Sequence, residues 1–294
     1  MIAASFFLIS SRVLLKDDKA LIVSDQQSLL VYTPSQKTTM TQILVGLGGR
    51  KPGGVACDYN GNILAAYSEV VVKITPNGKL SVVVRGDPTK NQYVGLAIPF
   101  ASSDPNAPLY VADAQARQVL RITRDGKIHP IARAFSSPCG LSDDAAGNVL
   151  VADRGSDEIV AIDKNQDTTV IAKGNGVWNH PTGVCLDPNG NLHIRTTSPS
   201  GYYVKTRSGW LTAPREKSND KFECISLVYL NQYESGILES DPTNTPVLGM
   251  RRIDRHGQTF PYGPKFIAPV SACLIPGYGP YIGLPLNLSK ELSK

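Results

Sequence analysis

Four histidines, five cysteines and a handful of arginines are the residues of this chain best equipped for chemistry. His180 stands in Trp178-Asn179-His180-Pro181, and with Trp178, Arg154, Arg195, Arg50 and Lys51 it forms the set expected to contact a ligand or partner. An imidazole, an indole and four cations suit carboxylate or phosphate recognition and stacking. His129 and His256 fall at outer turns or strands, and His193 within a strand. No Cys-x-x-Cys unit or zinc-type spacing occurs among Cys57, Cys139, Cys185, Cys224 and Cys273, and five thiols cannot all pair within one chain. They are read as buried thiols, which points to the cytoplasm or another reducing compartment such as an organelle interior. No nucleophile elbow, phosphate loop or zinc-peptidase motif is present, so catalytic residues stay unassigned and no metal or cofactor is expected.

The elements that position these residues come from a repeat. Segments starting at Gly54, Gly140 and Gly183 each read as a short apolar strand, a polar turn ending in Gly-Asn, and three further short strands. Looser copies start at Gly95, Ser226 and Ser271, and the N-terminal stretch aligns if Arg12 takes the glycine's place. The anchors near 12, 54, 95, 140, 183, 226 and 271 lie 41 to 45 residues apart. Four short strands at that period predict an all-β fold, a β-propeller, because one four-stranded sheet has two faces to bury and must stack on its neighbours. Seven anchors predict seven blades in a single domain over 1-294, with six as the alternative if one terminal copy is not a blade. The last copy shows only two strands clearly, and the apolar segment 4–10 is expected to complete it, a reading that competes with a signal peptide.

Within the repeat, most conspicuous residues have scaffold explanations. The turns Asn60-Gly61, Ala146-Gly147 and Asn189-Gly190 join first to second strands, and Asp58 and Asp187 lack the spacing of calcium ligands. Asp25, Asp113 and Asp153 recur at second-strand ends, where a carboxylate can accept backbone N–H groups. The alternative is a ring of carboxylates around one mouth of the channel. Lys73, Arg121, Lys205 and Arg252 share a third-strand position and read as rim charges with packed stems.

The motif around Pro138 to Asp153 and Pro181 to His193, with Pro52 to Ala66 close behind, resembles the NHL repeat and the related blades of gluconolactonase-like and streptogramin-lyase-like propellers. The resemblance covers about residues 50 to 215 well and implies the fold, while propellers of these kinds serve as lactonases, lyases, RNA binders and interaction platforms. The metal ligands of the gluconolactonase-like enzymes would fall at Gly53, Cys139 and Thr182, none suited to a hard cation. The histidines of the lyase-like group would fall at Cys224 and Ser271, and Glu239, the one carboxylate resembling theirs, lies a blade early. Both mechanisms lose their residues on transfer.

A formal charge of +5 is modest, and the longest apolar run near the start, Ile2 to Ile9, is too short to cross a bilayer. The reading is therefore a non-catalytic platform, with another protein as the expected partner and with the loops Ser102 to Pro108 and Ser240 to Pro246 as further contact surfaces. Two alternatives stand: a hydrolase or lyase with relocated residues, and an RNA binder using the basic residues with Trp178 and Tyr202.

Overall fold

The structure, a computed structural model, describes residues 20–25, 28–32, 40–99, 106–144, 146–186, 190–197, 200–212, 227–229, 236–241, 249–254, 259–262, 269–275 and 286–293. Three strands come first, β1 (Ala20–Asp25), β2 (Leu29–Tyr32) and β3 (Met40–Val45). Four complete antiparallel sheets follow in chain order. The first holds β4 (Pro52–Cys57), β5 (Ile63–Tyr67), β6 (Val70–Ile74) and β7 (Leu80–Arg85); the second β8 (Tyr93–Ala97), β9 (Leu109–Asp113), β10 (Gln118–Ile122) and β11 (Ile128–Pro130). The third holds β12 (Pro138–Asp143), β13 (Val149–Asp153), β14 (Glu158–Ile162) and β15 (Thr168–Lys173); the fourth β16 (Pro181–Leu186), β17 (Leu192–Thr197), β18 (Ser200–Thr206) and β19 (Gly209–Thr212). A fifth holds β20 (Leu227–Tyr229), β21 (Gly236–Asp241), β22 (Gly249–Asp254) and β23 (Thr259–Tyr262). Last come β24 (Pro269–Ile275), β25 (Leu286–Asn287) and the short helix α1 (Leu288–Leu292).

The turns obey the local chemistry of their sequence. Asp58 Oδ1 accepts from the backbone N–H of Asn60 and of Asn62, both at 2.9 Å, while Asn62 Nδ2 donates to Oδ2 at 2.7 Å. Asp144 repeats the pattern with Ala146 and Asn148. Each carboxylate is thus committed to an Asx turn, and Gly61 and Gly147 supply the positive φ that closes it. Asp187 lies outside the described residues.

The anchor glycines have a different cause. A Cβ on Gly54 would sit 2.5 Å from the Leu96 backbone N, one on Gly95 2.0 Å from the Cys139 carbonyl, and one on Gly140 2.3 Å from the Thr182 carbonyl. First strands of successive sheets therefore approach backbone to backbone, and only glycine fits. Neighbouring first strands run β24 beside β4, β4 beside β8, β8 beside β12, β12 beside β16, β16 beside β20, and β20 beside β24. Between sheets the apolar faces interlock: Ala66 and Leu64 with Val111 and Leu96, Tyr110 and Ala97 with Val149 and Val151, Leu150 and Ala152 with Ile194 and Leu192. The all-β architecture of stacked four-stranded sheets is that of a propeller.

The count from seven anchors requires correction. β24 pairs antiparallel with β1, Ile22 opposite Cys273, so the copies anchored at 12 and 271 contribute to one sheet, and the described residues hold six sheets. β24 occupies the first-strand place that the N-terminal copy was expected to fill from Arg12. Residue 12 and the segment 4–10 lie outside the described residues.

A clasp not anticipated from the repeat is built by the C-terminal tail. β25 pairs parallel with β3, Leu286 opposite Leu44, making this sheet five-stranded. Leu288 is fully buried against Leu29, Ile43, Leu44 and Val55. The Ser289 N–H and hydroxyl both donate to the Gly46 carbonyl, at 2.8 and 2.6 Å. Leu288→Ala is expected to lower stability by about 2–4 kcal/mol through transfer and cavity terms; urea unfolding monitored by tryptophan fluorescence measures it, and an unchanged midpoint would remove the clasp's role.

Candidate functional site

Segments entering the first strands and turns linking second to third strands gather at one end of the sheets, and backbone bonds tie them together. The Lys51 N–H donates to Ser68 Oγ and the Ser68 N–H to the Lys51 carbonyl, each at 2.9 Å. In the next sheet, Asp113 accepts from the Gln92 N–H at 2.9 Å, from Asn91 Nδ2 at 2.6 Å and from the Ala116 N–H at 3.1 Å. Asp153 accepts from the Ser136 and Ser137 N–H groups at 2.9 and 2.7 Å. Both carboxylates are buried, Asp113 at 0% and Asp153 at 1% exposure, so they cap backbone rather than face the channel. The sequence indicated capping of the following turn; Asp153 reaches instead to the strand-entering segment, and Asp113 to both. The side chain of Asp25 lies outside the described residues.

His180 is where two sheets meet. Its N–H donates to Asp157 Oδ1 at 2.6 Å, in the turn of the preceding sheet, and its carbonyl accepts from the Thr197 N–H at 3.2 Å, in its own sheet. Its φ is +50°, a left-handed conformation that non-glycine residues adopt rarely, and its side chain is exposed. The two bonds hold the strained backbone and present the ring outward. Exposed Val177 and half-buried Asn179 lie beside it in the chain, and Arg154, half-buried, stands in the Asp157 turn with its N–H on the Ser137 carbonyl at 2.9 Å.

The other expected contact residues are placed differently. Lys51 is exposed. Arg50 Nε donates to Glu69 Oε1 at 3.0 Å, and this carboxylate is almost wholly buried, so Arg50 is neutralised within the scaffold. Arg195 is buried on β17, at 7% exposure, rather than open at the mouth. Trp178 is fully buried between the third and fourth sheets, in T-shaped contact with Trp210 at 5.9 Å between ring centres. That corrects its expected role as a stacking surface: the indole is core. Tyr202 is buried as well and hydrogen-bonds His193 Nδ1.

Of the residues suggested by the enzyme resemblance, a Cβ at Gly53 would meet the Tyr93 carbonyl at 2.6 Å, and Cys139 and Thr182 are buried. Cys57 and Cys185 are buried too, and the side chains of Cys224 and Cys273 lie outside the described residues. Among the described residues no three His, Cys, Asp or Glu side chains gather as metal ligands. No described helix is long and apolar enough to cross a membrane. Lys205, one of the rim cations, donates to the Ile171 carbonyl of the adjoining sheet at 3.1 Å. The loop residues 102–105 and 242–246 lie outside the described set.

Tyr93, Glu69 and Asp157 went unnoticed in the sequence. Burial, with the nearby Asp113 and Glu69 charges, pushes the Tyr93 phenol up to about 12. The neutral phenol is thereby favoured in the folded chain, so its stabilising effect is complete below pH 10 and is lost as pH rises from 10 through 12. Wild-type stability is expected to fall more steeply over that interval than that of Tyr93→Phe; parallel urea midpoints would contradict the assignment. Only the backbone pattern, Tyr93 standing where sister copies carry Pro52, Pro138 and Pro181, signalled that the position is special.

No protein-family pattern matches the chain, and no curated protein matches it by sequence. Solved structures do resemble it. A protein of unknown function from Bacteroides caccae shares 15% identity at a TM-score of 0.60, over 88% of this chain and 99% of that one. A streptogramin B lyase shares 13% at 0.61, over 90% of each chain. A gluconolactonase from Xanthomonas campestris shares 14% at 0.57, over 87% of this chain and 91% of that one. Such likeness establishes the propeller fold, which hosts enzymes and proteins of unknown function alike.

Proposed function

We propose that the chain is a closed propeller of six NHL-like blades serving as a non-catalytic platform for another protein, through the mouth around His180. The observation that carries this reading is His180 itself, an exposed ring on a left-handed backbone braced by two sheets. Its setting supports binding over catalysis. A histidine acting as general acid or base is commonly oriented by a further polar group such as a carboxylate, whereas Asp113, Asp153 and Asp157 accept backbone N–H groups and Glu69 pairs with Arg50. Among the residues that the described mouth exposes are His180, Lys51, Lys90, Arg117, Gln115 and Val177, a mixed surface suited to protein contact. Burial of Trp178 and Tyr202 takes away the stacking surface that motivated RNA binding.

Affinity capture from native extract tests the reading. The wild-type chain should retain a stoichiometric protein, and so should Tyr59→Ala, in a first hairpin turn at the opposite end. His180→Asn, which removes the ring while tolerating the left-handed backbone, combined with Lys51→Glu, should lose it. Equal retention by all three, or turnover of lactone or ester substrates that these mouth variants abolish, would overturn the platform.

A further inference from the structure

The carboxylates described at the mouth end of the sheets are spent on the scaffold. Asp113 and Asp153 are buried and cap backbone N–H groups, and Asp157 accepts from the His180 N–H. Glu69 pairs with Arg50, and buried Glu158 pairs with Lys173 at 2.8 Å and with Arg133. Asp87, half-buried, accepts from the Thr89 N–H and hydroxyl at 2.8 and 2.6 Å and pairs with Lys90 at 3.4 Å. The Thr89 hydroxyl is the main cause holding its carboxyl below the ordinary value. The carboxylates exposed among the described side chains, Asp125 and Asp167, lie in turns between third and fourth strands, at the opposite end.

The cations are disposed the other way. Lys51 precedes β4, Arg85 ends β7, Arg117 stands in the turn from β9 to β10 and Arg154 in the turn from β13 to β14; the first three are exposed and Arg154 is half-buried. Among the described residues no carboxylate pairs with Arg85, Arg117 or Arg154. Arg117 is presented much as His180 is. Its φ is +55°, and its turn is braced by the Ala116 N–H on Asp113 and by Gln115 Nε2, which donates to the Thr89 carbonyl at 2.6 Å. The equivalent left-handed residue of the third sheet is Asp157, φ +54°, whose carboxylate is drawn onto the His180 N–H. The turn that carries an acid turns it in, and the turn that carries an arginine leaves it out. An arc of outward donors therefore runs across four successive sheets, from Lys51 through Arg117 and Arg154 to His180.

We propose that this arc recognises a carboxylate-rich peptide segment laid across the mouth, an inference that rests on the platform reading and gives its partner a chemistry. Guanidinium groups match carboxylates through two parallel hydrogen bonds. An approaching glutamate meets no exposed carboxylate on the described arc to repel it, whereas a basic segment meets like charge. A nucleic acid strand would find cations but no stacking platform, because Tyr67, Tyr93, Phe135 and Trp178 are buried.

Fluorescence anisotropy on the full-length chain tests this with a short labelled peptide alternating glutamate and serine, its glutamine counterpart, and a single-stranded RNA of similar length. The glutamate peptide should bind about tenfold or more tighter than the glutamine peptide, and the gap should close as salt rises from roughly 50 to 300 mM. Arg117→Asp combined with Arg154→Ala, the residue types that sister turns carry as Asp157 and Ala114, should weaken it by about tenfold or more. Lys164→Glu combined with Arg207→Ala makes an equal change of charge in exposed turns at the opposite end and should alter it by less than about twofold. Equal affinity for the two peptides, an equal loss from both double variants, or tighter binding of the RNA that the mouth variant abolishes would overturn the proposal. Capture from native extract separates it from the platform reading. A protein that wild type and the mouth variant both retain through high salt overturns the acidic partner and leaves the platform standing; glutamate-peptide binding without any retained protein supports the arc and removes the platform.

Discussion

Gly95→Ala is expected to destabilise the protein by about 3 kcal/mol or more, although it adds a single methyl group. The methyl would lie 2.0 Å from the Cys139 carbonyl oxygen, and the obstacle is backbone of the next sheet rather than the tip of a flexible side chain. Relief would require two first strands to separate, and with them the Ala112, Val94 and Cys139 packing at the same joint. Gly126 gives the control. Its φ is +82° and nothing lies within 4 Å of its Cβ direction, so Gly126→Asn should cost little. Chemical unfolding of both variants distinguishes close approach from conformational freedom as the reason for glycine. Equal effects would show that first strands are not in backbone contact.

Trp178→Ala is expected to cost about 3–5 kcal/mol, the range for emptying a buried aromatic site. The indole is fully buried among Leu150, Ile159, Val184, Ile194 and Tyr203, so its removal opens a cavity between two sheets. Trp178→Phe should cost much less, by filling most of that space. Were the residue a contact surface instead, both substitutions would leave stability unchanged and weaken partner capture. The position matters for function indirectly: Trp178 anchors the loop from which Val177 is exposed and His180 is presented.

The residues legible in the sequence were those whose role is local. Asp58 with Asn62 and Gly61 could be read as a turn because all its bonds lie within five residues, and the same holds at Asp144. The glycine period revealed stacked sheets because each copy repeats the same approach to its neighbour. What the period could not reveal is that one sheet is split between the chain's two ends. Counting first-strand anchors registers the N-terminal and C-terminal parts separately, whereas hydrogen bonding joins β24 to β1. The clasp was equally hidden, since Leu288 and Ser289 belong to no repeat. Trp178 and Arg195 read as mouth residues from their neighbours in sequence, yet both side chains are buried in the sheet stack. Strand alternation could have indicated this for Arg195, whose position is alanine in three sister strands. For Trp178 no periodicity applies, because it lies in a connection.

The mouth around His180 is the surface proposed to engage another protein. The most direct test places a photo-crosslinking side chain at position 180 and, separately, at position 59 in the hairpin turn at the far end. Irradiation in native extract should give one dominant crosslinked protein from position 180 and none from position 59. Equal labelling from both positions, or none from position 180 in a folded chain, would contradict the claim.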